Sequence, residues 1–304
     1  MKKSLALFTT LVFVLCLCFG AVAAEDKLNI VSTTTMLNDL ARIIGGDKVE
    51  TVGLMGPGID PHLYDASAGD VTKLLDADVV LFNGIHLEGQ MGEVLEQLKE
   101  RGKNVITIED AIPTDKLLFD PANPTAYDPH IWFDVSLWRL AANHVGESLC
   151  TIDAANAETY KANLEAYLVE MDNLATYCTD RIKEIPEDQR VLVTAHDAFE
   201  YFGNAFGFDV RGLQGISTEA EAGTADVSDL AAFIADNKIK AIFVESSVPP
   251  KNIEALQEAV KAKGFDVAIG GELYSDSLGD ASTGHDTYIT TVKANIDTIT
   301  NALK

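Results

Sequence analysis

The segment from residue 156 to residue 184 contains neither glycine nor proline. It is rich in alanine, leucine, glutamate and lysine, which favour helix. Asp153 is a suitable cap near its start, and Pro186 stops it. About 29 residues at about 1.5 Å each give a rod of roughly 43 Å. A rod of this length in the middle of the chain is a stiff connector, and it predicts a folded lobe on either side.

Short apolar runs rich in β-branched residues alternate with helical patterns on both sides of this rod. The predicted strands of the first half are Lys27–Val31, Val49–Met55, Asp78–Asn83 and Asn104–Glu109, with helices at Asp70–Leu75 and Met91–Lys99. Those of the second half are Arg190–Thr194, Asp209–Leu213, Lys240–Glu245 and Phe265–Gly270, with helices at Ser228–Asn237 and Asn252–Lys263. Such alternation is typical of parallel sheets. We predict an α/β fold of two parallel-sheet lobes, at 25–152 and 187–304, joined by one long rigid linker helix at 153–186.

The first 24 residues have the pattern of a secretory signal peptide. Two lysines precede an apolar run from Leu5 to Gly20, and Ala21–Ala24 supply the small residues at which cleavage occurs. The run is short for a membrane-spanning helix. Cys16 and Cys18 each follow a leucine, whereas the modified cysteine of a lipoprotein follows a small residue. We therefore expect a secreted, periplasmic protein rather than a lipid-anchored one.

The formal net charge is −24 at pH 7. Nucleic-acid binding needs basic patches that neutralise phosphates, so this balance argues against a nucleic-acid partner. A large negative charge keeps a secreted protein soluble, and we expect a monomer.

Two cysteines, Cys150 and Cys178, lie beyond the signal segment. A predicted helix from Val135 to about Cys150 ends near the start of the rod, after a proline-rich loop at 120–128. Cys178 then lies several turns along the rod, beyond the Cα separation of about 7 Å that a disulfide allows. We expect both thiols to be free.

The tripeptide Asp-Pro-His occurs twice, in GIDPHLY around His62 and in YDPHIWFD around His130. Proline fixes its own φ and holds the preceding residue extended, so each histidine has a defined place. His62 and His196 also follow predicted strands, and ligands of α/β sheets bind beyond the carboxyl ends of strands. These three histidines are candidate metal ligands. We assign His144, in the middle of a predicted helix, to a surface or packing position. His86, which follows a predicted strand, and His285, in a glycine- and aspartate-containing loop, are weaker candidates.

Three imidazoles suit zinc, which takes four ligands in a tetrahedron. The segment VAIGGELYSDSLGD offers Glu272, Asp276 and Asp280 as the fourth, and spacing alone does not choose among them. Imidazole favours zinc, whereas manganese prefers more oxygen donors. A carboxylate that binds through both oxygens would make manganese tolerable. Binding requires neutral imidazoles, so affinity should fall below about pH 6.

Five segments, in order, resemble the cluster A-I family of solute-binding proteins, particularly its TroA-type zinc/manganese binders: GIDPHLYDASAGD, YDPHIWFDV, VTAHDAFEYF, FVESSVPPKN and LYSDSLGD. The resemblance covers nearly the whole chain after the signal segment. It implies two α/β lobes with the metal site at their interface, and the ligands His62, His130, His196 and Asp276. It also implies delivery of Zn²⁺, or alternatively Mn²⁺, to an ABC transporter permease in the membrane.

Two family features that bear on the metal are absent from this chain. Manganese-preferring relatives carry glutamate where His196 stands, and many zinc-specific relatives carry a histidine-rich, acidic loop before the second ligand. The resemblance therefore leaves the choice between zinc and manganese partly open. Glu245, at a strand end in FVESSVPP, is a candidate to hold a ligand histidine by its other ring nitrogen.

Two other functions have less support in the sequence. A zinc hydrolase keeps an open position for water, which four protein ligands do not leave, and HDAFE lacks the two helical histidines of an HExxH site. We therefore expect no enzyme. A surface adhesin, a role attributed to some members of the family, is the second alternative, and nothing specific in this sequence supports it.

Overall fold

The computed structural model describes residues 27–121 and 123–304, so the predicted signal peptide lies outside the described residues. The first half contains a four-stranded parallel sheet in the order β2-β1-β3-β4. Its strands are β1 (Leu28–Ser32), β2 (Val49–Gly53), β3 (Val79–Phe82) and β4 (Asn104–Thr107). Helices α1 (Thr35–Gly45), α2 (Ala68–Asp76) and α3 (Gly92–Glu100) accompany them. The parallel sheet and its helices confirm the α/β prediction for this half.

A short antiparallel hairpin stands where the sequence predicted a loop at 120–128. Its strands are β5 (Phe119–Asp120) and β6 (Asn123–Tyr127). The rings of Phe119 and Tyr127 pair across the strands with centroids 4.8 Å apart, a contact that stabilises a hairpin. Pro124 suggested a loop, but an edge strand tolerates proline because some of its amides have no strand to pair with.

Helices α4 (Val135–Ile152) and α5 (Ala157–Ile182) follow the hairpin. In the second half, β7 (Val191–His196) pairs in parallel with β8 (Asp209–Gln214), and β9 (Ala241–Glu245) with β10 (Ala268–Leu273). Strands β7 and β9 lie beside each other. The helices are α6 (Glu200–Phe206), α7 (Thr224–Asn237), α8 (Lys251–Ala262) and α9 (Tyr288–Leu303). This half is also a parallel α/β lobe, as predicted.

Strand β10 begins at Ala268 rather than at Phe265 and continues past the glycine pair at which the predicted strand ended. A Cβ on Gly270 would lie 2.7 Å from the Phe243 ring, so this glycine allows close packing instead of ending the strand. Gly271 has a φ of +140° and lies within a register shift between Ile269 and Glu272.

Helix α5 is 26 residues long and corresponds to the predicted rod. Its buried side chains recur at helical spacing and form one stripe: Tyr160, Tyr167, Met171, Leu174, Cys178 and Ile182. This stripe packs against α1, α4 and α9 in a hydrophobic core to which both halves contribute. The rod is therefore part of the core of the molecule as well as the connection between its halves.

Cys150 and Cys178 are free thiols, as predicted. Cys178 is buried in the stripe of α5, and Cys150 is half-buried on α4. Within the described part of the chain, no helix is long and apolar enough to cross a membrane.

Shortening Leu174 to alanine should lower the free energy of unfolding by about 2–5 kcal/mol, because its side chain is fully buried in the stripe of α5. Val169→Ala on the same helix is the matched control, since Val169 is 61% exposed and its loss should change stability by less than about 0.5 kcal/mol. Urea unfolding followed by circular dichroism measures both. Equal, small effects would contradict the packing of α5 in the core.

Candidate metal centre

Four buried side chains meet between the two halves of the molecule. His62 lies in the loop after β2, His130 lies between β6 and α4, His196 ends β7, and Asp276 lies in the loop after β10. One nitrogen of each histidine and one carboxylate oxygen all lie within 4.8 Å of one another. His62 is 3% exposed, Asp276 is 1% exposed, and the other two are fully buried. The structure thus brings together the four residues that the resemblance implied.

The distances within this cluster suit a small cation. His130 Nε2 lies 3.3 Å from His62 Nε2 and 3.4 Å from Asp276 Oδ1, and His196 Nε2 lies 3.3 Å from Asp276 Oδ2. Four ligands at about 2.0–2.1 Å from a central ion form a tetrahedron with edges of about 3.3–3.4 Å. His196 Nε2 and Asp276 Oδ1 are buried without a hydrogen-bond partner, which is rare for polar atoms in a folded protein.

The repeated Asp-Pro-His has a structural explanation. In each copy the aspartate side chain accepts a hydrogen bond from the histidine amide two residues later: Asp60 Oδ1 from His62 at 2.9 Å, and Asp128 Oδ1 from His130 at 2.9 Å. Asp128 Oδ1 also contacts Nδ1 of the His130 ring at 2.7 Å, so the ring turns its Nε2 to the cluster. Sequence analysis did not single out Asp128, although the repeat carried the signal.

Glu245 holds His196 in the same way from another element. It ends β9, beside β7, and its Oε1 accepts a hydrogen bond from the His196 amide at 2.8 Å. Its Oε2 lies 2.5 Å from His196 Nδ1. The carboxylate is 3% exposed, so little water competes for it. These two contacts leave Nε2 of His196 directed to Asp276.

Hydrogen bonds between the two halves surround the cluster. Gly58, whose φ of +73° suits glycine, donates its amide to Ser277 Oγ at 2.8 Å, beside Asp276. Thr218 Oγ1 donates to Asp60 Oδ2 at 2.6 Å, and Trp132 Nε1 donates to the Ser275 carbonyl at 2.9 Å. These bonds hold the loops that carry the cluster against one another.

The neighbouring carboxylates favour protonated forms of two histidines. Burial opposes a charge on His130, but Asp128 and Asp276 outweigh it and raise the pKa of His130 to about 9. Burial also opposes a charge on His196, yet Glu245 and Asp276 raise its pKa well above the ordinary value. These directions differ from the ordinary histidine pKa on which the sequence-based limit of about pH 6 rests.

His62 and Asp276 have the opposite shifts. Burial lowers the pKa of the His62 imidazole to about 3, and the two nearby imidazoles add to this effect. Burial disfavours an ionised Asp276, but the adjacent imidazoles outweigh it and lower the pKa of this carboxyl well below its usual range. These directions favour protons on His130 and His196 in the metal-free centre, and a bound cation competes with those protons.

The other candidates lie outside the cluster. His86 is exposed, His144 is half-buried on α4, and His285 contacts the Tyr274 hydroxyl. Glu272 and Asp280, the alternatives to Asp276, are both exposed, and Asp280 accepts a hydrogen bond from the Ser282 amide.

Comparison with known proteins agrees with this architecture. The family model of ZnuA, the periplasmic component A of the zinc-uptake complex, matches residues 30–302. The zinc-binding protein TroA of Treponema pallidum (strain Nichols) is 47% identical over 287 residues, covering 94% of this chain and 92% of the relative. The manganese-binding lipoprotein MntA of Bacillus subtilis (strain 168) is 45% identical over 283 residues, which cover 93% of this chain and 92% of that relative.

A solved structure of the periplasmic zinc-binding protein TroA from Treponema pallidum matches the fold with a TM-score of 0.89 at 47% identity. The match covers 91% of this chain and 99% of that structure. A family model that spans nearly the whole described chain, two relatives that match over 92% of their length and the same fold all agree. The chain therefore belongs to the ZnuA family of periplasmic zinc-uptake components.

Proposed function

We propose that this protein captures Zn²⁺ outside the cytoplasm with His62, His130, His196 and Asp276, and delivers it to the permease of an ABC transporter. The observation that carries the proposal is the buried set of three imidazole nitrogens and one carboxylate, in which three of the separations are 3.3–3.4 Å, the length of a tetrahedron edge around zinc. Two of its atoms have no hydrogen-bond partner, although both are buried. A bound cation would give both of them a partner.

Zinc is the proposed cargo, and manganese is the alternative. Relatives of similar identity are named for zinc and for manganese. Three nitrogen donors and one carboxylate favour zinc, because manganese prefers more oxygen ligands. Both oxygens of Asp276 lie near imidazole nitrogens, however, so binding through both would add an oxygen and suit manganese better.

The binding cycle follows from where the ligands lie. The proposed lobes, 25–152 and 187–304, contribute two ligands each: His62 and His130 from the first, His196 and Asp276 from the second. The ion therefore ties the lobes together. Helix α5 packs into a hydrophobic core to which both lobes contribute. We therefore propose that the lobes tilt only slightly when the ion is released, rather than opening widely.

We propose that this site has no role in hydrolysis. Four protein ligands complete the coordination of a tetrahedral zinc, whereas a catalytic zinc keeps a position for water. We propose a monomeric carrier without enzymatic activity, whose net charge of −24 argues against nucleic acid as a partner.

We also propose that the protein is secreted and free rather than lipid-anchored. The Bacillus subtilis relative is a lipoprotein. In this chain Cys16 and Cys18, which lie outside the described residues, each follow a leucine rather than a small residue. The mass of the protein exported by its native host distinguishes the two, since an anchored form carries acyl chains.

Metal analysis of the purified protein tests the function. The protein, purified without chelators, is analysed for its elements, then stripped and titrated with Zn²⁺ and Mn²⁺. We expect about one zinc per chain and weaker manganese binding. Equally tight binding of both ions would make the protein a dual carrier. If neither ion binds stoichiometrically, the proposal is wrong, and an adhesin becomes the leading alternative.

Glu245→Gln should weaken zinc binding by about 10–100-fold, because the neutral amide has one acceptor oxygen in place of two and no longer supplies the negative charge that increases the basicity of the His196 ring. The matched control is Glu272→Gln, an exposed position near Asp276 in sequence, which should bind zinc as the wild type does. Competition with a chromophoric chelator measures both affinities. Equal affinity in the two variants would remove Glu245 from the site.

A further inference from the structure

The turn that carries His62 is held in part by the other half of the molecule. Asp60 Oδ1 accepts a hydrogen bond from the His62 amide, and Asp60 Oδ2 accepts one from Thr218 Oγ1 at 2.6 Å. Thr218 lies in the loop between β8 and α7, in the second half of the chain. The carboxylate of Asp60 therefore connects a turn that carries a proposed ligand to a side chain of the opposite half.

The hydrogen bond between Thr218 and Asp60 is charge-assisted and shielded from water. An ionised carboxylate only accepts hydrogen bonds, so the Thr218 hydroxyl must donate its proton to Asp60. Such a bond is stronger than one between neutral groups. Thr218 is 7% exposed, so little water competes for its hydroxyl. Separation of the two halves must break this bond, whereas the bond from Asp60 to the amide within its own turn can survive.

The ring of His62 is held less firmly than the rings of the other two histidines in the cluster. Nδ1 of His130 contacts Asp128, and Nδ1 of His196 contacts Glu245. No carboxylate of the described residues makes a corresponding contact with the ring of His62, whose Nε2 faces His130. The position of His62 therefore depends on the backbone of its turn and on whatever holds that turn in place.

Two further hydrogen bonds between the halves lie close by, and they differ in what they reach. The Gly58 amide donates to Ser277 Oγ at 2.8 Å, so the same turn is tied to the second half at two points. Gln90 Nε2 donates to Glu219 Oε1 at 2.9 Å, directly beside Thr218 in the chain, but this exposed pair contacts none of the proposed ligands. The neighbours Thr218 and Glu219 therefore both bridge the halves, and only Thr218 is connected to a ligand.

We propose that Thr218 is a positioning residue that keeps His62 on the bound ion through Asp60, and so sets the rate at which the ion is released. The inference rests on the proposed function. While the halves are closed, the hydrogen bond from Thr218 holds the turn of His62 against the cluster. When the halves move apart this bond breaks, and His62 leaves first because no carboxylate holds its ring. An ion left with three of its four ligands is bound more weakly and passes to the permease.

The test compares Thr218→Val, which removes the hydroxyl at nearly constant volume, with Thr218→Ser, which retains it. Glu219→Ala is the matched control, because it removes the neighbouring hydrogen bond between the halves. Each folded variant is loaded with one equivalent of Zn²⁺, and stopped-flow mixing with an excess of a chromophoric chelator measures the release rate. Mixing of the stripped protein with Zn²⁺ measures the association rate.

We expect Thr218→Val to release zinc about tenfold faster than the wild type, because a hydrogen bond to a charged group is lost. Its association rate should not change, since the bond forms fully only after the halves close. Thr218→Ser and Glu219→Ala should release zinc at about the wild-type rate. An unchanged release rate in Thr218→Val, or an equal increase in Glu219→Ala, would overturn the inference and leave the proposed function intact.

A double-mutant cycle tests whether Thr218 acts through Asp60. In Asp60→Ala the acceptor is absent, so the further change Thr218→Val should not increase the release rate again. Independent effects of the two changes would also overturn the inference. Thr218→Ala replaces the valine variant in both experiments if that variant does not fold. Failure of the wild type to bind any metal would instead overturn the proposed function.

Discussion

Replacing His130 by alanine should weaken zinc binding by more than about 100-fold. Changes in the groups around a metal ligand typically cost 10–100-fold, and loss of a ligand removes a direct bond as well. His130 is fully buried, and its Nε2 lies 3.3 Å from His62 and 3.4 Å from Asp276, so no other side chain takes its place without a rearrangement of the cluster. Titration of the stripped variant with Zn²⁺ measures the effect.

The matched control for this change is His144→Ala, which removes a half-buried histidine from the middle of α4, outside the cluster. We expect it to bind zinc with wild-type affinity and stoichiometry. Thermal unfolding with and without zinc gives a second readout, because a ligand that binds only the folded state raises its stability. The wild type and His144→Ala should gain stability with zinc, and His130→Ala should not. Equal zinc binding by both variants would exclude His130 as a ligand.

The helices and strands around this site could be predicted from the sequence because the signals for them are local. A long segment without glycine or proline specifies α5, and runs of β-branched residues specify the strands of both sheets. It failed where tertiary contacts decide. The glycine pair in β10 predicted the end of the strand, but the strand continues because Gly270 leaves room for the Phe243 ring. Pro124 favoured a loop, but the segment forms a hairpin, which the contact between the Phe119 and Tyr127 rings stabilises.

The same difference between local signals and distant contacts applies to the residues of the candidate site. The two Asp-Pro-His turns mark His62 and His130, since an aspartate that accepts the amide of the second following residue is a local device. The fourth member depends on distant structure. Spacing alone did not select Asp276 over Glu272 and Asp280, because its selection depends on contacts with His130 and His196, which lie far away in the sequence. The role of these side chains as ligands stays a prediction until metal binding is measured.

The supporting carboxylates have a consequence for pH. Near pH 7 the metal-free centre holds a proton on His130, whose pKa is raised to about 9, and on His196, whose pKa is raised well above the ordinary value. Their Nδ1 protons stay with Asp128 and Glu245, so zinc displaces the protons on Nε2. Binding should therefore release about two protons, and affinity should rise by up to about 100-fold per pH unit between about pH 6 and 8.

The sign follows from the competition between zinc and protons. Raised pKa values stabilise the protonated, metal-free centre, so affinity falls as the pH falls. This loss begins near pH 9 rather than near the ordinary histidine pKa of about 6.5. Calorimetric titration at pH 7 in buffers of different ionisation enthalpy counts the protons released. Ordinary histidine pKa values would give well under one proton for each histidine and an affinity that no longer changes above about pH 7.5, and that result would contradict the prediction. In Glu245→Gln the pKa of His196 loses its first raising cause, so this variant should release fewer protons than the wild type.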